Sequence, residues 1–124
     1  MAQNAAIRLP VERQTVVARS DLIVQILRPN SLTNSKEMAV AIGFSFCANG
    51  SCSPASENMG TVVYNGDFNP VSHEDFLPPY QNFTISVPPG CKSGKGQINV
   101  AHATLVGAEL YPYIESLNQS IFIS

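Results

Sequence analysis

Short runs of alternating apolar and polar or small residues are the feature that most limits how this chain can fold. The clearest run covers residues 37–46. One face of it holds the large side chains Met38, Val40, Ile42, Phe44 and Phe46, and the other holds Ala39, Ala41, Gly43 and Ser45. Side chains of a β-strand point alternately to opposite faces, so this run predicts a strand with one buried face. No segment shows a helical period, and an all-β fold is expected.

Six further segments separated by turn residues complete the predicted strands. They are a split first strand (AIRLP with TVVAR) and the segments 21–28, 60–66, 80–88, 96–108 and 116–124. About seven strands in one domain of residues 1–124 predict an antiparallel immunoglobulin-like β-sandwich. The chain has no Trp, so the tryptophan that marks antibody domains is missing. Residues 1–4 are expected to be disordered or foreign to the mature protein.

Composition argues against nucleic-acid binding and against a membrane-spanning helix. Charged residues make up 13% of the chain, the formal net charge is −2, and the seven basic residues are scattered. That distribution does not favour nucleic-acid binding. No apolar run approaches the roughly 20 residues of a membrane-spanning helix. We expect a protein without a membrane span, and a monomer.

Cysteines and sequons together favour an extracellular protein. Cys47 and Cys52 stand five positions apart, and Cys91 follows much later. Zinc is disfavoured because the C-x4-C spacing and the two distant histidines do not match the usual ligand sets. We favour a Cys47–Cys52 disulfide with Cys91 free, while a bond from either one to Cys91 stays open.

Three Asn-x-Ser/Thr sequons are candidate glycosylation sites. They lie at Asn49, Asn82 and Asn118. Asn82 and Asn118 fall on the polar sides of predicted strands, where a glycan would be tolerated. Asn49 lies between the two paired cysteines, where a tight loop would hinder modification. Unmodified surface asparagine is the alternative at each.

Strand parity places the loops at two ends of the predicted sandwich. Alternate loops of antiparallel strands share an end, so the three cysteines should lie near one end. Five aromatic residues then gather at the other: Phe68, Phe76, Tyr80, Tyr111 and Tyr113. Exposed aromatics on proline-stiffened loops are good interface anchors, and we take these as candidate partner contacts. The alternative is that they cap the open end of the core.

Catalytic patterns are missing from the sequence. His73 is followed by Glu74 and Asp75, but the H-E-x-x-H pattern is not completed, and G-x-S-x-G does not occur. His102 continues the run Ile98, Val100, and is expected to be a core-edge histidine with a satisfied hydrogen bond. We therefore expect no enzyme activity, no metal and no cofactor.

Several segments, in order, resemble one known family. They read IRLP, VAIGF, MGTVVYNGDFNP, QNFTISVPPG, GKGQINVAHATLVGAELYP and LNQSIFI. From about Ala6 to Ser124 the chain resembles the necrosis-inducing secreted proteins, small effectors of plant-associated fungi. The resemblance implies a secreted, non-enzymatic protein that suppresses plant pattern-triggered immunity by binding receptor-associated kinases and provokes cell death when overproduced. It carries over no binding residues. An extracellular carbohydrate-binding or wall-associated module, with the same aromatics as stacking platforms, is the alternative.

Overall fold

The computed structural model describes residues 5–28, 35–47, 52–73, 78–88, 94–106 and 111–124. These residues form eight strands in two sheets and no helix. The strands are β1 (Ala6–Leu9), β2 (Gln14–Val16), β3 (Asp21–Leu27), β4 (Ser35–Phe46), β5 (Thr61–Gly66), β6 (Tyr80–Ser86), β7 (Gly94–Val106) and β8 (Tyr111–Ile123). The prediction of an all-β chain is confirmed.

The two sheets differ in size, and the predicted first strand contributes one part to each of them. The smaller sheet has the order β1-β3-β6, and the larger has the order β2-β8-β7-β4-β5. The predicted split strand is two separate strands, because β1 pairs with β3 while β2 pairs with β8 in the other sheet. This division raises the count from seven to eight. The expected antiparallel pairing is wrong at one place, since β2 runs parallel to β8.

The core lies between the sheets and follows the alternation read from the sequence. Val40, Ile42 and Phe44 of β4 are at most 2% exposed. They pack against inward residues of the opposite sheet, among them Val24, Ile26, Phe83 and Ile85. Complete burial of one such side chain contributes about 1.5–3 kcal/mol, so this shared layer holds the sheets together. Met38 and Phe46, predicted on the same face, lie beyond the core and are 48% and 40% exposed.

The described loop ends agree with the predicted grouping of loops. The backbone N–H of Cys47, after β4, donates to the carbonyl of Lys95 at 2.9 Å. The N–H of Arg28, after β3, donates to Pro79 O at 2.8 Å, just before β6. The segment after β4 therefore meets the start of β7 at one end, while the segment after β3 meets the start of β6 elsewhere.

Candidate functional site

A disulfide closes the segment that follows β4. Cys47 and Cys52 are bonded, with their Cα atoms 4.8 Å apart. Cys47 is buried, and its backbone N–H is held by Lys95. Cys91 and the sequon residue Asn49 lie outside the described residues.

The chain after the disulfide crosses the outer face of the larger sheet. We call residues 52–60 the strap. An ideal Cβ built on Gly43 would lie 2.0 Å from the backbone oxygen of Met59, so the strap passes directly over β4 where the side chain is missing. Gly60 ends the strap with φ of +70°, a conformation that favours glycine. The two glycines therefore allow the strap to lie directly against the sheet: Gly43 leaves space for the backbone of Met59, and Gly60 adopts the positive φ at its end.

Two buried amides of β7 fasten the strap. Gln97 Nε2 donates to the Ser53 carbonyl at 2.8 Å and to Asn99 Oδ1 at 2.7 Å. Asn99 Nδ2 donates to Ser45 Oγ at 2.7 Å and to the Met59 carbonyl at 3.1 Å. Buried amides are costly unless bonded, so this network fixes where the strap lies. Among the described residues no buried side-chain nitrogen or oxygen lacks a partner.

Beside the strap the outer face of the larger sheet is apolar and open. The strand register places Ala39 opposite Ala103, Ala41 opposite Ala101, and Ala103 opposite Ile114. We call these five residues the alanine strip. The alanines are half-buried, and Ile114 is 74% exposed. Because alanine side chains are short, the four alanines form the floor of a shallow depression, and Ile114 projects above it.

Two recesses share this floor. One, of about 400 Å³, lies between the strap and the sheet, against Ala55, Met59, Ala101, Ile114 and Glu115. The other, of about 130 Å³, extends along the strip toward Asn65 of β5. Ala101 and Ile114 line both. These two adjoining recesses are lined mainly by apolar side chains, with Glu115 at the margin of the larger one, and are suited to receiving an apolar side chain from a partner.

The predicted aromatic contact surface is not assembled in the described part of the chain. Phe68 is 1% exposed and packs near Phe83, with ring centroids 6.3 Å apart. Tyr80 is 8% exposed and stacked under His73 at 4.0 Å. The prediction that Phe68 and Tyr80 are exposed anchors is wrong; they fill the core and its margin, the alternative stated above.

The remaining aromatic candidates add little to that surface. Tyr113 is half-buried on β8. Tyr111 begins β8, and only its backbone is described. Phe76 lies outside the described residues.

The two described sequons lie on opposite outer faces. Asn82 is exposed on β6, and its Oδ1 accepts from Gln25 Nε2 at 2.9 Å. Asn118 is exposed on β8 and pairs with Asn99, which places it on the outer face that carries the strap and the alanine strip. Both positions leave room for a glycan.

His102 has the satisfied role that its position predicts. It is 1% exposed, and its Nδ1 lies 2.8 Å from Glu115 Oε2. The same carboxylate oxygen accepts the backbone N–H of Ala5 at 2.8 Å. Phe68 meets the His102 ring edge-on at 5.3 Å. This buried group ties the start of the described chain to the larger sheet.

The described residues contain neither a metal-binding cluster nor a membrane-spanning helix. No group of three or more His, Cys, Asp and Glu side chains is arranged there to hold a metal ion. Within the same residues, no helix is long and apolar enough to cross a membrane.

The alanine strip was missed because its members are far apart in sequence. The outward position of Ala39 and Ala41 follows from the alternation in β4. Their meeting with Ala101 and Ala103 depends on the register of β4 against β7. The signal present in the sequence was the repeated small residue in AHA at 101–103, on the side of β7 opposite His102.

Comparison with solved structures shows a shared fold. The chain is similar to superoxide reductase (neelaredoxin) from Ignicoccus hospitalis, with a TM-score of 0.55 and 13% identity over 97% of this chain and 80% of that chain. A variant of that protein gives a TM-score of 0.56 and 12% identity over 98% and 81%. At these identities the likeness concerns the fold alone.

Comparison of the sequence with curated proteins and comparison with family models give different results. No curated protein matches the chain. The model of the Nis1 family, a fungal effector-like family, matches residues 1–122. The chain therefore belongs to the Nis1 family.

Proposed function

We propose that this protein is a secreted effector that acts by binding a protein partner through the alanine strip. Its family is fungal effector-like, which supports a role outside the fungal cell. The proposed partners are plant receptor-associated kinases, and the proposed result is suppression of pattern-triggered immunity, with cell death on overproduction. The proposal contains no catalytic step and no cofactor.

The observation that carries the proposal is the exposed, uncharged strip beside the strap. Contiguous apolar patches on the surface of soluble proteins often mark interaction sites. Here Ile114 stands 74% exposed over four alanines, and the strap forms a wall along one side. Partner-binding energy concentrates in such recesses, where one large apolar side chain can be fully desolvated.

The disulfide supports secretion. Disulfides persist in oxidising compartments and are rare in reducing ones. The Cys47–Cys52 bond closes the segment leading into the strap. A secreted protein would keep this bond, and the strap beside the proposed contact surface would stay attached at both ends.

We also propose that the scaffold is an immunoglobulin-like sandwich. The order β1-β3-β6 matches strands A, B and E, while β8-β7-β4-β5 matches the G, F, C and C′ strands of variable-type domains. A split first strand that pairs with both sheets fits the same scheme. Interstrand NMR contacts that give a different strand order would refute this assignment.

The binding proposal is tested by a pull-down with cytoplasmic domains of plant receptor-associated kinases. Wild-type protein should retain kinase above the level of an unrelated β-sandwich. Ile114→Lys should weaken retention at least tenfold, about 1.4 kcal/mol, because a charge would enter the apolar recess. Phe122→Lys is the matched control, since Phe122 is 43% exposed on the outer face of the same strand.

Two results would reject the proposal. One is wild-type protein that retains no kinase, and the other is equal loss in both variants. A parallel pull-down with cell-wall polysaccharides tests the carbohydrate-binding alternative. Its proposed stacking platform is weakened by the burial of Phe68 and Tyr80.

A further inference from the structure

The outer face of the smaller sheet carries a row of three polar side chains, one from each of its strands. Arg8 lies on β1, Gln25 on β3 and Asn82 on β6. Arg8 Nη1 donates to Gln25 Oε1 at 2.8 Å, and Gln25 Nε2 donates to Asn82 Oδ1 at 2.9 Å. Arg8 and Asn82 are exposed, while Gln25 between them is 4% exposed. The row therefore holds the Asn82 side chain in one orientation.

The direction of both hydrogen bonds follows from Arg8. A guanidinium group can only donate, so the Gln25 amide must turn its oxygen toward Arg8 and its nitrogen toward Asn82. That nitrogen is itself a donor, so the atom of Asn82 that faces it must be the oxygen. Asn82 Nδ2 is thereby turned away from Gln25, on an exposed side chain. In the folded protein this nitrogen is accessible from solvent.

Asn82 begins the sequon Asn82-Phe83-Thr84, and Nδ2 is the atom to which an N-linked sugar is attached. Phe83 points into the core and is 4% exposed, whereas Thr84 is exposed on the same outer face as Asn82. The fold therefore buries the aromatic residue of the sequon and keeps the nitrogen to be modified in solvent. A sugar on Nδ2 would leave Oδ1 in place to accept from Gln25.

An exposed apolar side chain lies next to this position. Ile23 of β3 is 48% exposed and stands directly opposite Thr84. Since Gln25 stands opposite Asn82, Ile23 and Asn82 are diagonal neighbours on one face, about 7–8 Å apart. A sugar ring attached to Asn82 can reach across that distance. Contact with the ring would remove apolar surface of Ile23 from water.

We propose that Asn82 is an N-glycosylation site of the secreted protein, and that the first sugar of the glycan lies over Ile23. In the modification, Asn82 Nδ2 bonds to the anomeric carbon of an N-acetylglucosamine that heads a lipid-linked oligosaccharide. The bond from that carbon to the lipid diphosphate breaks, the diphosphate leaves, and one amide proton is released. The inference rests on the proposed function only for secretion, since the donor and its transferase belong to the secretory pathway.

The position of Asn82 keeps this glycan apart from the proposed contact surface. β6 belongs to the smaller sheet, whereas the alanine strip lies on the outer face of the larger sheet. The core lies between these two faces. The glycan would therefore cover one outer face and leave the other open to a partner.

The first test measures occupancy. The full chain is secreted from yeast behind a cleavable signal sequence, and the peptide containing Asn82 is analysed by mass spectrometry before and after deglycosylation. Most wild-type molecules should carry a glycan at Asn82. Thr84→Ala breaks the sequon but keeps Asn82, and it should carry none there. Thr84→Ser keeps the sequon and is the matched control, which should remain modified.

The second test locates the first sugar. Isotope-labelled protein carries Asn49→Gln and Asn118→Gln, so that Asn82 is the one remaining sequon. An endoglycosidase trims its glycan to a single N-acetylglucosamine. Nuclear Overhauser effects should then join protons of this sugar to the methyl groups of Ile23.

The third test measures what the sugar contributes. The trimmed protein should unfold at a higher temperature than the same sequence made in the bacterial periplasm, where Asn82 stays unmodified, because the sugar covers apolar surface. Ile23→Thr should lose most of this rise in melting temperature. Val62→Thr is the matched control, since Val62 is also β-branched and 52% exposed, but lies on β5 of the larger sheet. It should keep the rise.

Three results would overturn the inference. They are an unmodified Asn82 in the secreted wild type, a first sugar without contacts to Ile23, and an equal rise in melting temperature with Ile23→Thr. None of them depends on the kinase. If Asn82 carries the sugar over Ile23 while wild-type protein retains no kinase, the proposed function fails and this inference stands. Kinase retention by a protein with unmodified Asn82 gives the reverse result.

Discussion

Several single residues in this protein stabilise the fold through contacts with the backbone of another segment. Gly43 leaves space for the strap, Asn99 and Gln97 bond to it, and Glu115 joins His102 to Ala5. The polar contacts are buried or half-buried, so losing a partner would leave a desolvated group. Residue-scale changes at these points should therefore cost more than similar changes on the surface.

Gly43→Ala should destabilise the protein by about 1–3 kcal/mol, because the new Cβ would clash with the Met59 backbone. Urea unfolding measures the loss. Gly66→Ala is the matched control, since its Cβ would lie 3.1 Å from the far end of the Tyr64 side chain. Equal stability of the two variants would contradict the placement of the strap over β4.

Glu115→Gln should lower stability by about 1–2 kcal/mol. One carboxylate oxygen accepts from both Ala5 and His102. The amide oxygen of glutamine is neutral, so it would accept these two hydrogen bonds more weakly. Thermal unfolding at neutral pH is the measurement, with exposed Glu57→Gln as the control. A variant as stable as the wild type would show that this buried group contributes nothing to the fold.

At the scale of elements, the strap differs from the strands because it is held in place without strand pairing. Its attachments are the disulfide at one end, two amides of β7, and Gly60 at the other end. The strands of the larger sheet, in contrast, are held by their register and by the core beneath them. The strap should therefore respond to changes that leave the sheet intact.

Replacing Cys47 and Cys52 together by Ser should cost roughly 2 kcal/mol, the value the loop-entropy model gives for so short a loop. Chemical unfolding measures this loss. Hydrogen exchange should increase first in residues 52–60, while β4 and β7 remain protected. Uniform loss of protection across β4 and β7 would show that the disulfide supports the sheet rather than the strap.

At the scale of the whole molecule, the two outer faces have different surfaces. The larger sheet exposes the alanine strip beside the strap, and Asn118 lies on this face. The smaller sheet exposes Asn82, bonded to Gln25. Only the first of these faces carries the proposed contact surface.

A glycan at Asn118 should therefore reduce kinase binding, while one at Asn82 should leave it unchanged. Asn118 is about 14 Å along β8 from Ile114, within reach of a branched glycan. The measurement compares Asn118→Gln and Asn82→Gln proteins made in yeast, with occupancy established by mass spectrometry. Stronger binding on removal of the Asn82 glycan would place the contact on the opposite face.

The sequence by itself determined the all-β class, the inward and outward sides of the main strands, and the closeness of Cys47 to Cys52. These properties are local: alternation fixes which side a residue faces, and five positions of chain keep two cysteines near each other. Tertiary structure decided that β1 and β2 enter different sheets, that Phe68 and Tyr80 are buried, and that alanines of β4 and β7 form one strip. Those outcomes depend on register and sheet packing between segments up to about a hundred residues apart, which no local pattern encodes.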